Sequence, residues 1–208
     1  MTDLDQRLHF PATARNREPI AEVLQQWLPN RGTILEIASG SGEHAVQFQQ
    51  RFTHLRWQAS DPDPQHRSSI NAWIRHTNQT STMAHALDID VAQQPWLVPK
   101  DVQRCLSAIV CINLLHISSR VCTEALLQQA AERLPTNAPL MIYGPFKREG
   151  VHTSQSNASF DASLRERNPE WGVRDIEWIE SLITTLPLTL MECNSMPANN
   201  QMLILIRE

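Results

Sequence analysis

Ten residues constrain this chain more than any others. Thr33-Ile34-Leu35-Glu36-Ile37-Ala38 is a short, mostly apolar run, and Ser39-Gly40-Ser41-Gly42 follows it at once. The first part predicts a buried strand and the second a glycine turn, after which a helical period begins. A strand that enters a helix through glycines opens a βαβ unit. The chain then repeats the rhythm: strand at 55–59, helix at 65–76, a weak third strand at 83–87, a stronger strand at 107–112, helix at 119–134, and a fifth strand at 139–143. Such alternation requires crossover connections and therefore a largely parallel sheet. Upstream, Ile20, Val23, Leu24, Trp27 and Leu28 recur with helical spacing, and Pro19 suits a first helical turn. After a helix carrying Ile176, Ile179, Leu182 and Ile183, the runs 188–193 and 201–206 flank a turn-rich loop. They predict a hairpin, hence at least one antiparallel strand.

In an open α/β sheet the ligand lies outside the carboxyl ends of the strands, where strand order reverses, and the first glycine turn forms the floor. Gly40 and Gly42 fit that floor, because a residue without Cβ lets backbone N–H groups approach a ligand. Two ligands compete. Gly40-Ser41-Gly42-Glu43-His44-Ala45 satisfies the dinucleotide pattern G-x-G-x-x-G/A, yet Glu43 stands at the helix N-terminus where a pyrophosphate would bind, and Glu36 lies just upstream. Carboxylates suit S-adenosylmethionine (SAM) better, since it carries a sulfonium and an ammonium and no phosphate. Asp61, about twenty residues beyond the turn, is placed to accept ribose hydroxyls for either ligand. His44, in the first helical turn, predicts a pocket wall.

The 208 residues, 41% of them hydrophobic, suffice for one core, so a single domain over 1–208 is expected, with a helical segment at 1–30. Lys and Arg number 18 against 22 acids, and no basic run occurs, so no nucleic-acid partner is expected. Neither a signal peptide nor a membrane span is apparent, which predicts a soluble, cytoplasmic protein. Cys105, Cys111, Cys122 and Cys193 form no Cys-x-x-Cys pair, and the first three read as core residues. The eight histidines are scattered, so no metal is expected.

The run 34–42 resembles the first motif of class I SAM-dependent methyltransferases, with Ala38 where the motif has its first glycine. Nearly the whole chain resembles the domain of unknown function 938 family, which includes the methyltransferase-like 26 group. The matching blocks are 11–20, 36–44, Ser60-Asp61-Pro62-Asp63, Tyr143-Gly144-Pro145-Phe146, 152–157, 160–165 and Met196-Pro197-Ala198-Asn199-Asn200. The resemblance implies a single-domain, Rossmann-like α/β fold with a seven-stranded, mostly parallel sheet, one antiparallel C-terminal strand, and helices on both faces. It implies SAM as cofactor and S-adenosylhomocysteine (SAH) as product. The cofactor set it implies is Glu36, Ala38, Gly40, Gly42, His44, Asp61, Pro62, Asp88 and Ile89, with Asn113 and Leu114 closing the pocket. Asp90 stands close enough to Asp88 to take its place at the adenine amino group, and loop capping is the alternative for these acids.

Methyl transfer is an in-line displacement, in which positioning supplies much of the acceleration. A base is required only when the nucleophile arrives protonated. His116 and Tyr143, at strand ends on the ligand side, are the catalytic candidates; a structural histidine capping the next helix is the alternative for His116. The polar stretch 147–174 interrupts the rhythm and predicts a lid-like insertion, or an ordinary solvated connection. His152, Ser154, Asn157 and Phe160 are its candidate contacts to a small-molecule methyl acceptor, and Arg15 and Asn16, placed ahead of the first helix, are a second set. Three readings follow: a small-molecule methyltransferase, a SAM-binding protein without turnover, and, third, an NAD-dependent oxidoreductase.

Overall fold

The computed structural model describes residues 6–208; residues 1–5 of the expected N-terminal segment lie outside the described residues. The elements run α1 (Pro11–Trp27), β1 (Thr33–Ile37), α2 (Glu43–Arg51), β2 (Arg56–Ala59), α3 (Pro64–His76), α4 (Lys100–Cys105), β3 (Leu106–Ile112), α5 (Arg120–Arg133), β4 (Pro139–Gly144), β5 (Phe146–Arg148), β6 (Val151–His152), α6 (Gln155–Arg167), β7 (Arg174–Asp175), α7 (Ile176–Ile183), β8 (Leu188–Met196) and β9 (Asn200–Arg207). The main sheet has the order β2-β1-β3-β4-β9-β8. Strands β1 to β4 pair in parallel, and β9 runs antiparallel to both β4 and β8. The order reverses between β1 and β3, so the crevice lies at their carboxyl ends.

Both faces of the sheet are covered, and side-chain alternation divides the core accordingly. Leu35 and Ile37, Ile109 and Cys111, and Leu140 and Ile142 pack with α5 and α7 on one face. Ile34, Ala108 and Val110, and Met141 and Tyr143 pack with α1, α2 and α3 on the other. Every position of β1 and β4 is buried, which is why these strands read as mostly apolar runs without polar alternation.

Among the described residues the main sheet has six strands, where seven were expected. The expected third strand is reduced to a single parallel bridge between Ser60 and Leu87. Side chains replace its ladder: Gln58 Nε2 donates to the His85 carbonyl at 3.0 Å, and Asn71 Oδ1 accepts from the Ala86 N–H at 3.0 Å. Pro19 lies inside α1, whose first turn begins at Pro11, so Arg15 and Asn16 sit within that helix and not ahead of it. Helix α4 is additional to the expected elements, and Cys105 at its end is exposed, not a core residue. Among the described residues no helix is long and apolar enough to cross a membrane, and no group of three or more His, Cys, Asp or Glu is placed to hold a metal ion.

The stretch 147–174 folds as a small sheet, β6-β5-β7, with α6 docked beside it. Helix α6 has a physical start signal: Ser154 Oγ accepts from the Asn157 N–H at 3.1 Å.

Candidate functional site

At the end of β1 the chain turns through three left-handed residues, Ala38 (φ 56°), Gly40 (φ 56°) and Gly42 (φ 90°). The Ser39 N–H donates to the Ser60 carbonyl at 2.8 Å, pinning the turn to the end of β2. The Gly40 N–H donates to Asp61 Oδ2 at 2.9 Å, while Asp61 Oδ1 accepts from the Asp63 N–H (3.0 Å) and meets His66 Nδ1 at 3.1 Å. Asp61 is thus a buried carboxylate held from three sides.

Above this floor opens a cleft of about 320 Å³, within the size range of small-molecule sites. Ala38, Ser39, Gly40 and Ser41 line its base, Asp61, Pro62, Asp63 and His66 one side, Asn113, Leu114 and Ile117 the other, and Ile89 and Val91 an apolar end. Phe10, Ala12 and Thr13 close it from the N-terminal side, and Glu36 and His44 lie at its back. Three lining residues are Asp or Glu, and none is Lys or Arg.

A strap ahead of α1 shapes this cleft. The Phe10 N–H donates to Glu43 Oε2 at 2.8 Å, the Leu8 N–H donates to Ser69 Oγ at 2.8 Å, and the Phe10 ring meets His66 edge-on at 5.8 Å. Glu43 also accepts from Ser41 Oγ at 2.9 Å. The N-terminus of α2, the natural seat of a pyrophosphate, is therefore occupied by the protein's own carboxylate and strap.

Glu36 is fully buried and accepts from Trp57 Nε1 at 2.8 Å. Burial pushes its carboxyl up to about 7, against the opposing hydrogen bonds from Trp57 and Ser39. A raised acid adds stability below its unfolded value of 4.5, and that contribution is lost as pH rises to about 7. His44 and His116 act with the opposite sign, since burial lowers each from 6.5 to about 4 and their contribution is lost as pH falls through that window. Glu36→Gln keeps an acceptor for Trp57 and abolishes the titration. Urea denaturation should find the variant more stable than the wild type by about 3 kcal/mol at pH 8 and equal to it at pH 4; a difference independent of pH would exclude a raised Glu36.

The expected residues fall into three groups. Glu36, Ala38, Gly40, His44, Asp61, Pro62, Ile89, Asn113 and Leu114 all line the cleft. Gly42 does not; a Cβ there would stand 2.7 Å from Ile70 Cα, so this glycine serves the close approach of α2 to α3. The Asp88 carboxylate points away, 68% exposed and paired with Arg67 at 3.1 Å, while Asp90 caps a turn through the Ala92 N–H.

The third group is committed to internal contacts. His44 Nε2 donates to Asn16 Oδ1 at 2.9 Å, so Asn16 lies on the buried face of α1, and Arg15 is exposed outside the cleft. Tyr143 is buried, which raises its phenol against the opposing Asn16 amide. His116 lies in the 3-10 turn Leu115–Ile117, buried, with the Phe160 ring edge-on at 5.5 Å. Its ring receives no hydrogen bond from any described residue. His152 pairs with Asp161 at 3.2 Å, Ser154 caps α6, and Asn157 Nδ2 donates to Thr153 Oγ1 and to the Asn199 carbonyl of the β8–β9 turn.

Phe10, Thr13, Asp63, His66, Val91 and Ile117 line the cleft and were not among the expected residues. For Asp63 and His66 a signal existed: Asp63-Pro64 is an N-cap followed by proline at the first helical position, which starts α3 on the ligand side. Phe10 carries no local signal, since its anchor, Glu43, is 33 residues away.

Residues 7–207 match the family described as protein of unknown function (DUF938). Among solved structures, an O-methyltransferase family 2 protein from Planctomyces limnophilus DSM 3776, in complex with apigenin, is similar with a TM-score of 0.77 at 19% identity, over 95% of this chain and 60% of that protein. An O-methyltransferase family protein from Burkholderia thailandensis is similar with a TM-score of 0.74 at 17% identity, over 95% of this chain and 57% of that one. For geranyl diphosphate C-methyltransferase from Streptomyces coelicolor A3(2), in complex with Mg2+, geranyl diphosphate and S-adenosyl-L-homocysteine, the TM-score is 0.71 at 10% identity, over 94% and 80%. This chain thus spans about 60% of the length of the two O-methyltransferases. At these identities the likeness is one of fold.

Proposed function

Given that the chain belongs to the DUF938 family and carries a class I methyltransferase fold, we propose that it is a SAM-dependent methyltransferase acting on a small molecule at an oxygen, nitrogen or sulfur atom. One observation carries the reading: the cleft at the β1/β3 reversal is lined by Glu36, Asp61 and Asp63 without a Lys or Arg. Carboxyl oxygens accept hydrogen bonds and attract cations, which suits a ligand bearing a sulfonium and an ammonium. The Glu43 carboxylate and the strap at the start of α2 disfavour the pyrophosphate of NAD.

When bound, SAM supplies a methyl group made electrophilic by the sulfonium. In this reading Asp61 accepts from a ribose hydroxyl, Ile89 and Val91 flank the base, and the turn Ala38-Ser39-Gly40 lets backbone approach the amino-acid end. Asn113 and Leu114 close the cleft opposite. The acceptor enters beside Ile117, with 147–174 forming its outer wall, and no nucleic-acid partner is invoked. His116, neutral at pH 7, takes the proton of a protonated nucleophile. His116→Ala is then expected to cut turnover about a hundredfold and leave SAH affinity within about twofold; unchanged turnover removes it from this role. A cytoplasmic location belongs to the same proposal, and the four free cysteines support it.

A second reading, SAM or SAH binding without turnover, is favoured by one fact: neither His116 nor Tyr143 lines the cleft. Calorimetric titration with SAM, SAH and NAD in parallel tests the cofactor. Micromolar binding of SAM and SAH alone is expected, and binding of NAD alone would overturn both readings. Release of SAH on adding a small-molecule extract then separates turnover from binding.

A further inference from the structure

A second hollow, of about 400 Å³, opens between the start of α5 and the 147–174 segment. Its charge is the reverse of the cofactor cleft: Arg120, Lys147, Arg165 and Arg174 line it, against the carboxylates of Glu170 and Asp175. We propose that this hollow is an oxyanion-binding site that anchors the acidic group, a carboxylate or a phosphate ester, of the methyl acceptor. The role in methylation rests on the methyltransferase reading; the binding of an oxyanion does not.

Arg174 is the main support. Its side chain is buried, with 5% of the residue's surface exposed. Its Nη2 donates to the Ser118 and Glu170 carbonyls, while its Nε is buried with no partner. Burying a guanidinium without a counter-charge is costly, and an unsatisfied donor adds to that cost. Among the described residues no carboxylate pairs with Arg120, Lys147 or Arg174 within ion-pair distance. Of the nearby acids, Asp175 and Asp161 are committed elsewhere, and among the described residues Glu170 lies within ion-pair distance of none of these cations. Asp175 accepts from the Gly150 N–H at 2.6 Å and caps α7 through the Glu177 N–H, and Asp161 holds Arg165 and His152. Burial, then the charges of Arg120 and Arg165, hold the Arg174 pKa below its usual value. An anion in the hollow supplies the counter-charge that this cluster lacks.

The backbone agrees. Helix α5 is 14 residues long, has no acid in its first turn, and its N-cap Ser119 makes no side-chain capping bond. The α5 dipole therefore adds to the positive field. Arg120 lies over the Trp178 ring at 5.0 Å, which holds its charge at the rim.

The two hollows adjoin across one turn, since Ile117 lines the cofactor cleft and Ser119 the cationic hollow. Ile117 and Val121 are exposed apolar side chains, 42% and 55% accessible, beside that turn. An acceptor with an apolar body and one acid group matches this surface: the acid in the cationic hollow, the body on Ile117 and Val121, and the nucleophile towards the cofactor.

The test uses the full chain and the double variant Arg120→Gln/Lys147→Gln, whose side chains hold no backbone group. Inorganic phosphate and acetate are titrated separately by calorimetry without cofactor. Saturable binding of either ion, weakened at least about tenfold in the double variant, is expected, with SAH affinity kept within about twofold. Tighter phosphate points to a phosphate ester and tighter acetate to a carboxylic acid. Absence of saturable binding to the wild type, or equal binding by the double variant, would overturn the proposal and leave the SAM reading untouched. Failure of SAM binding with phosphate binding intact would remove the methyl acceptor and leave the anion site.

Discussion

Asp61→Asn is expected to weaken SAH binding by roughly 30- to 150-fold in calorimetry, because a charged hydrogen-bond acceptor is worth about 2–3 kcal/mol. The carboxylate already accepts from the Gly40 N–H, the Asp63 N–H and His66. With roughly four lone-pair directions available to two oxygens, acceptor capacity is left on Oδ2 for a ribose hydroxyl. An amide cannot reproduce this. Its NH2 would face either the Gly40 N–H or the Asp63 N–H, donor against donor, and its oxygen carries no full charge. Thermal denaturation of the same variant separates the local effect from loss of fold. Unchanged SAH affinity in a folded Asp61→Asn protein would remove Asp61 from the cofactor site.

Gly42→Ala should lower stability by about 3 kcal/mol, combining about 1–2 kcal/mol for a left-handed alanine with about 1–3 kcal/mol of overpacking. The backbone there has φ 90°, and the new Cβ would meet Ile70 Cα at 2.7 Å and Cγ1 at 2.9 Å. Since the first contact is to backbone, α3 itself must move to relieve it. For a chain of this size the melting temperature should drop by about 6–12 °C. Gly150→Ala is the control: its φ is 75°, but nothing lies within 4 Å, so only the conformational cost applies. Equal losses at the two positions would exclude tight α2–α3 packing as the reason for Gly42.

The two variants also separate the residues of one motif. Gly40 and Gly42 are alike in sequence and both have positive φ. One faces the cleft and the other faces Ile70, a distinction that depends on where α3 packs. Asp61 and Asp88 are alike too, each following a strand-like run. Asp61 ends turned into the cleft, while Asp88 is drawn off by Arg67. In the same way, the polar block from His152 to Asn157 has the look of a binding surface, yet its side chains hold α6 and the β8–β9 turn in place.

What the amino-acid order determined by itself was the alternation of strand and helix, the glycine turn after β1, and the C-terminal hairpin. These rest on periods of two and 3.6 residues, on chain flexibility at glycine, and on burial of both sheet faces, all of which act over a few neighbouring residues. Tertiary structure alone decided the rest. The third strand gave way because Gln58 and Asn71, on other elements, took its backbone groups. Phe10 became a cleft wall through Glu43, 33 residues away. Arg120, Lys147, Arg165 and Arg174, which form no basic run, gathered around one hollow because α5, β5, α6 and β7 converge there. Each of these outcomes depends on distances between residues far apart in the chain, and only the packed fold sets those distances.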